Sequence, residues 1–152
     1  MRKLYFDIDG TLLLDEVGIL KPALTEGAFQ AAVIQAGFEE LVCVGAFVTA
    51  LHVMREVEPD HDGVGAIFSL CGGAFTNEDW FRSVTTLVDD PMERGKAIDL
   101  DSNWWYVDDM AEYYLWKAGR ESVFKEHVGE RIWMPDPKGD GYDILAWLER
   151  LH

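Results

Sequence analysis

The segment Leu4-Tyr5-Phe6-Asp7-Ile8-Asp9-Gly10-Thr11 constrains the fold of this chain more than any other. Its apolar, aromatic start reads as a strand buried on both faces, and the acids and glycine that follow force a turn where the charges begin. A strand covered on both faces belongs to a layered α/β protein with a mainly parallel sheet. In such sheets chemistry gathers beyond the carboxyl ends of the strands. Asp7 and Asp9 stand at one such end.

The pattern recurs. Leu41-Val42-Cys43-Val44-Gly45 reads as a second buried strand, and Trp104-Trp105-Tyr106-Val107 as a third that again ends in acids, Asp108 and Asp109. Arg131-Ile132-Trp133-Met134, halted by Pro135 and Pro137, reads as the last strand. Leu12 to Leu20, with Gly18 near its middle, suits a small hairpin or flap. Lys21-Pro22 is expected to open a helix with Leu24, Ala28, Ala31, Ala32 and Ala36 on its apolar positions, ended by Gly37. Phe47 to Val57 forms a helix stopped at Pro59, and residues 60–63 are a polar break. Val64 to Leu70 is apolar but too short to assign by periodicity. Thr76 to Asp79 looks like a helix cap, with Trp80, Phe81, Val84, Leu87 and Val88 following at helical spacing; Val84-Thr85-Thr86 suits a strand instead, and both readings stand. Met110 to Lys117 reads as a helix closed by Gly119. Tyr142 to Leu151 reads as an amphipathic helix with Ile144, Leu145, Trp147, Leu148 and Leu151 inward. Together these predict one domain over residues 1–152, a Rossmann-like three-layer sandwich. A chain of this size buries roughly two-thirds of its unfolded surface.

Charge narrows the function. The formal net charge is −15, from 28 acids against 13 lysines and arginines. Such a field repels nucleic acid, whose binding rests on cations meeting phosphates, and no Lys/Arg cluster overrides it locally. An anionic substrate would need a metal ion or a focused cation to bring it in. No apolar run approaches the ~18 residues that span a bilayer, so no membrane partner is expected. Charge at Arg2, Lys3 and Asp7 interrupts the first apolar run too early for a signal peptide. Cys43 and Cys71 sit in apolar surroundings and read as buried thiols of a reducing compartment. A cytoplasmic protein is the expectation.

Asp7 and Asp9 reach one crevice once the chain turns at Gly10, and Asp108 and Asp109 end another strand in the same way. If the strands are neighbours, the carboxylates converge. That much negative charge calls for a cation, and oxygen-only ligands suit Mg²⁺. A carboxylate beside Mg²⁺ can attack phosphorus, a second carboxyl can protonate the leaving group, and a lysine can balance the phosphoryl oxygens.

Phe6-Asp7-Ile8-Asp9-Gly10-Thr11-Leu12 resembles the first signature of the haloacid dehalogenase superfamily, and Tyr106-Val107-Asp108-Asp109 resembles its fourth. The resemblance implies a haloacid dehalogenase-like fold and a Mg²⁺-dependent phosphatase working through an aspartyl phosphate. It makes Asp7 the nucleophile and Asp9 the acid/base. Asp7, the Asp9 backbone carbonyl and Asp108 would hold Mg²⁺, with Asp109 in support. Lys96 is the candidate for the third signature's lysine, with Lys117 the alternative. Gly10 and Thr11, with Gly45 and Ala46, would cradle the phosphoryl group. The second signature carries a serine or threonine where this chain has Gly45, so the hydroxyl is missing unless Thr49 takes over.

Relatives often insert a cap domain. Here residues 12–44 leave room for a flap and one helix, and residues 46–95 for connecting elements and a modest insert, which implies a capless, open site. Such a site needs a macromolecular substrate or a neighbouring subunit of a homo-oligomer to exclude water. The missing hydroxyl also admits a second class of function: a weak or inactive relative that binds a phosphorylated ligand or protein partner. Asp89-Asp90 has the same local look as Asp108-Asp109, but Pro91 follows at once. Glu58 to Asp62 reads as a solvated loop.

Overall fold

The computed structural model of the chain describes residues 1–16, 19–22 and 24–151, with the backbone alone at 15, 16 and 19–22. The chain begins with β1 (Arg2–Phe6), passes through a tight coil into a hairpin of β2 (Leu13–Glu16) and β3 (Ile19–Pro22), and continues as α1 (Ala28–Gln35) and β4 (Phe38–Cys43). The helices α2 (Phe47–Val57), α3 (Gly63–Leu70) and α4 (Glu78–Val84) precede β5 (Thr85–Leu87). A 3-10 turn at Pro91–Glu93 runs into the short α5 (Arg94–Ala97), then β6 (Asn103–Val107), α6 (Ala111–Lys117), α7 (Glu121–His127), β7 (Ile132–Trp133) and α8 (Tyr142–Glu149).

Five strands form one sheet in the order β5-β4-β1-β6-β7, parallel at every step. β1 is central. The chain adds β4 and β5 on one side of it and then crosses to add β6 and β7 on the other. That reversal opens a crevice beyond the carboxyl ends of the middle strands. The β2–β3 hairpin is antiparallel and lies outside this sheet. The α/β, Rossmann-like layering expected from the sequence is therefore present, with a wholly parallel central sheet.

Side chains alternate across the sheet, so in-register residues share a face. Tyr5, in register with Val42 and Tyr106, faces the layer of α5 to α7. Its hydroxyl accepts the Asp99 N–H at 3.0 Å, and Trp104 on the same face meets His127 edge-on at 5.3 Å. On the other face Phe6 interlocks with Phe29 of α1 and with Phe75, which in turn packs on Phe81 of α4, at centroid distances of 4.6 to 6.4 Å. Each such pair contributes about 1 kcal/mol beyond its buried area. Trp104 and Trp105 point to opposite faces and both are buried, Trp105 against Phe38 at 5.4 Å.

Several boundaries differ from the sequence expectation. β1 stops at Phe6, because beyond it the N–H groups of Thr11, Leu12 and Leu13 all turn back to the Ile8 carbonyl. Lys21-Pro22 closes the hairpin opposite Leu13 and Leu14, and the helix starts only at Ala28, after Gly27 with φ 73°. Gly37, at φ 82°, does end it. Residues 64–70 are helical, because the Asp62 carboxylate accepts the Gly65 N–H at 2.9 Å and caps α3. The conflict at 84–86 resolves in sequence: Asn77 caps α4, which ends at Val84, and the strand begins at Thr85. The last strand is only Ile132–Trp133, and α7 was not expected at all. Gly18 lies outside the described residues. Among those described, no helix is long and apolar enough to cross a membrane.

Candidate active site

β1 and β6 are hydrogen-bonded neighbours, so the acids that end them meet. Asp7 follows β1 directly, its N–H donating to the Val107 carbonyl at 3.1 Å, and Asp108 follows β6, its N–H donating to the Trp133 carbonyl at 3.1 Å. Both side chains are buried, Asp7 at 4% exposure and Asp108 at 0%. Asp109 comes next and folds back over the turn after β1. One oxygen each from Asp7, Asp108 and Asp109 lies within 4.8 Å of the others, a set that can hold a metal ion.

The turn after β1 is shaped to receive Asp109. Gly10 has φ +78°, and a Cβ built there would come within 2.3 Å of Asp109 Oδ2. The left-handed backbone and the missing side chain are thus both required. Thr11, fully buried, accepts the Asp109 N–H on its hydroxyl at 3.3 Å and ties the two strand ends together. Ile8, also fully buried, anchors the coil from below.

A buried arginine, which sequence reasoning missed, balances the cluster. Arg94 opens α5 and is 2% exposed. Its Nη1 lies 2.8 Å from Asp108 Oδ2 and 3.2 Å from Asp7 Oδ1, its Nε donates to the Pro91 carbonyl at 2.8 Å, and its Nη2 donates to the Tyr114 hydroxyl at 3.2 Å. The guanidinium also stacks over the Tyr114 ring at 3.9 Å. The Tyr106 hydroxyl donates to Asp108 Oδ2 at 2.6 Å and the Met110 N–H to Asp108 Oδ1 at 2.8 Å. Both Asp108 oxygens are therefore engaged by the protein. Asp109 Oδ1 and Asp9 Oδ1, by contrast, are buried without a hydrogen-bond partner.

The electrostatics follow from this crowding. Burial, then the Asp108 carboxylate, push Asp7 well above the usual carboxylate range against the pull of Arg94. Burial likewise raises Asp9, and Asp109 is pushed up to about 6, first by burial. Four acids face one guanidinium here. The excess negative charge and the two orphaned oxygens are the observations that fit a bound divalent cation, since hard oxygen donors without protons suit one.

The other expected residues divide. Gly45 lies beside Asp7, where a Cβ would stand 3.3 Å from Asp7 Oδ1, and it precedes the N-terminus of the eleven-residue α2, whose first N–H groups favour an anion. Ala46 is exposed at that N-terminus, and Thr49 is exposed on α2, so its hydroxyl does not take over at the carboxylates. Lys96 is not at the carboxylates either. Its side chain is 64% exposed and pairs with Glu93 at 3.7 Å, because on a one-turn helix it points away from Arg94. Lys117 donates to the Met92 carbonyl at 3.0 Å on the surface. Asp90 caps the 3-10 turn through the Met92 N–H at 3.0 Å and has no part in the cluster. No periodic signal in the sequence marks Arg94, because α5 is a single turn of four residues.

Comparisons of the chain with protein-family models, with curated proteins and with solved structures find no match in any of the three.

Proposed function

We propose that this chain is a Mg²⁺-dependent phosphomonoester hydrolase of the haloacid dehalogenase-like kind. One observation carries the reading: the two acid segments that resemble that superfamily's signatures lie on adjacent parallel strands, and their carboxylates meet at a topological switch point.

Asp7 attacks the phosphorus of a phosphomonoester, and the bond from phosphorus to the leaving alcohol oxygen breaks. Asp9, raised by burial and only partly exposed, gives that oxygen its proton. Water then attacks the aspartyl phosphate, Asp9 takes the water's proton, and inorganic phosphate leaves with Asp7 restored. Arg94, in the place expected of Lys96, fixes Asp7 through Oδ1 and balances charge on the phosphoryl oxygens. Asp7, Asp108 and Asp109 would hold Mg²⁺, which supplies Lewis-acid polarisation of the phosphoryl group when bound.

Hydrolysis of 4-nitrophenyl phosphate by the purified protein, with Mg²⁺ or with EDTA and beside Asp7→Asn, tests this. Turnover that needs both the metal and Asp7 upholds the reading; turnover by Asp7→Asn sinks the nucleophile. Two observations favour a second reading, in which the chain binds a phosphorylated ligand without turning it over: the missing hydroxyl at Gly45, and the grip of Arg94 on Asp7 at 3.2 Å. Phosphate-dependent stabilisation without turnover on any ester would support it.

A further inference from the structure

We propose that a pocket opening off Asp109 takes an aromatic group that is neutral or cationic, and that this group is the alcohol portion of the phosphomonoester; the second half rests on the hydrolase reading above.

The pocket has a volume of about 350 Å³, within the range of small-molecule sites and large enough for a bicyclic ring. Asp109 lines it and is also one of the three clustered acids, so pocket and cluster share that residue. Its walls are Met110, Tyr113 and Trp116, with Met134 beyond the end of β7. Met110, Tyr113 and Trp116 are 48%, 43% and 60% exposed, an unusual amount of large apolar surface left in water beside a polar site. Flat rings and thioethers are the side chains that hold an aromatic ligand best.

A row of rings fixes this pocket to the site. Arg94 stacks on Tyr114, Tyr114 meets Tyr113 edge-on at 5.1 Å, and Tyr113 leans on Trp116 at 6.2 Å. The guanidinium that holds Asp7 and the ring that lines the pocket are thus held in one packed line. Charge selects further. The charged side chains lining the pocket, Asp109, Glu112 and Glu121, are all acidic. A ring bearing its own negative charge is therefore repelled, while a neutral or amine-bearing ring is not.

The test uses 1-naphthyl phosphate and glycerol 2-phosphate for turnover, and 1-naphthol for binding by equilibrium dialysis. Trp116 is largely exposed, so Trp116→Ala keeps the fold. The expected result is that 1-naphthol binds wild type and Asp7→Asn alike and binds Trp116→Ala about tenfold more weakly. Trp116→Ala also lowers kcat/KM for the naphthyl ester about tenfold more than for the glycerol ester. Equal losses for both esters, with no binding of 1-naphthol, overturn the pocket and leave the hydrolase reading standing. No turnover of either ester, with naphthol binding that depends on Trp116, upholds the aromatic site and overturns its assignment to a leaving group. A naphthol sulfonate that binds as well as 1-naphthol overturns the charge selection.

Discussion

Arg94 places its Nη1 3.2 Å from Oδ1 of Asp7, so the acid that follows the central strand is ion-paired to a side chain from the short helix α5. The same nitrogen holds Asp108, and neither acid is more than 6% exposed at its side chain. Removing one partner of a buried pair leaves uncompensated charge, a larger loss than the pair's net worth. Arg94→Met is expected to lower stability by about 3–5 kcal/mol, read from urea unfolding. Lys96→Met, at an exposed site, should stay within about 0.5 kcal/mol of wild type. A reversed ranking would remove Arg94 from the centre of the site.

The Tyr106 hydroxyl is the second support of Asp108. Burial, then Asp108, raise its pKa well above the ordinary value, so it stays protonated and donates. Tyr106→Phe removes a hydrogen bond to a charged group and should cost about 1.5–3 kcal/mol in chemical unfolding. Loss of less than that would mean the Arg94 guanidinium, already 2.8 Å from Asp108 Oδ2, satisfies that oxygen alone.

What the sequence disclosed depended on how each residue interrupts its surroundings. Asp7 and Asp108 were legible because each stops an apolar run at a strand end, and the parallel layering followed from runs apolar on every position. Arg94 was not, because α5 has four residues and one turn carries no periodicity. Two residues apart on such a turn, Arg94 and Lys96 face nearly opposite ways, and signature order favoured the one that points away from the carboxylates. Gly95 held a clue that needs the fold to read: a Cβ there would stand 2.2 Å from the Tyr114 carbonyl, so α5 lies directly on α6 and turns Arg94 inward. α7 stayed hidden because its seven residues offer only Val123 and Phe124 to the core, both partly buried, too few to show a helical stripe.

Gly10 ties turn geometry to the metal-capable cluster. Gly10→Ala imposes a left-handed residue with a Cβ and pushes Asp109 aside. The backbone alone costs about 1 kcal/mol, and the displaced carboxylate adds to it. The rise in melting temperature produced by Mg²⁺ should therefore shrink in Gly10→Ala more than the melting temperature itself falls. An undiminished Mg²⁺ response would show that Asp109 does not contribute to metal binding.

Protonation of Asp109 gives a pH signature in EDTA. Its pKa rises from 3.8 to about 6 on folding, so between these values the folded state holds a proton that the unfolded state has released. Stability from this group is therefore highest at low pH and falls as pH rises through about 6. Urea midpoints of wild type should drop between about pH 4 and about pH 6.5, and Asp109→Asn should drop less. Asp109 also helps to raise Asp7, so the difference between the two proteins reports the titration of the pair. Parallel curves would place its titration outside this window.

Gly45→Ser asks whether the missing hydroxyl limits the site. A Cβ at Gly45 would stand 3.3 Å from Asp7 Oδ1 and 3.4 Å from the Ile8 nitrogen, close enough that both must yield by a few tenths of an ångström. Ile8 is fully buried and Asp7 is held by Arg94, so that adjustment costs about 1 kcal/mol. In return, on the proposed hydrolase reading, the hydroxyl would reach Asp7 and a phosphoryl oxygen carried on it. One added donor to developing negative charge raises turnover by about tenfold or more, provided the fold loses no more than that about 1 kcal/mol. A kcat on 4-nitrophenyl phosphate that rises while KM holds would identify Gly45 as the residue that slows this site. An unchanged kcat with a stable fold would mean that the N-terminal N–H groups of α2 already serve the phosphoryl oxygens unaided.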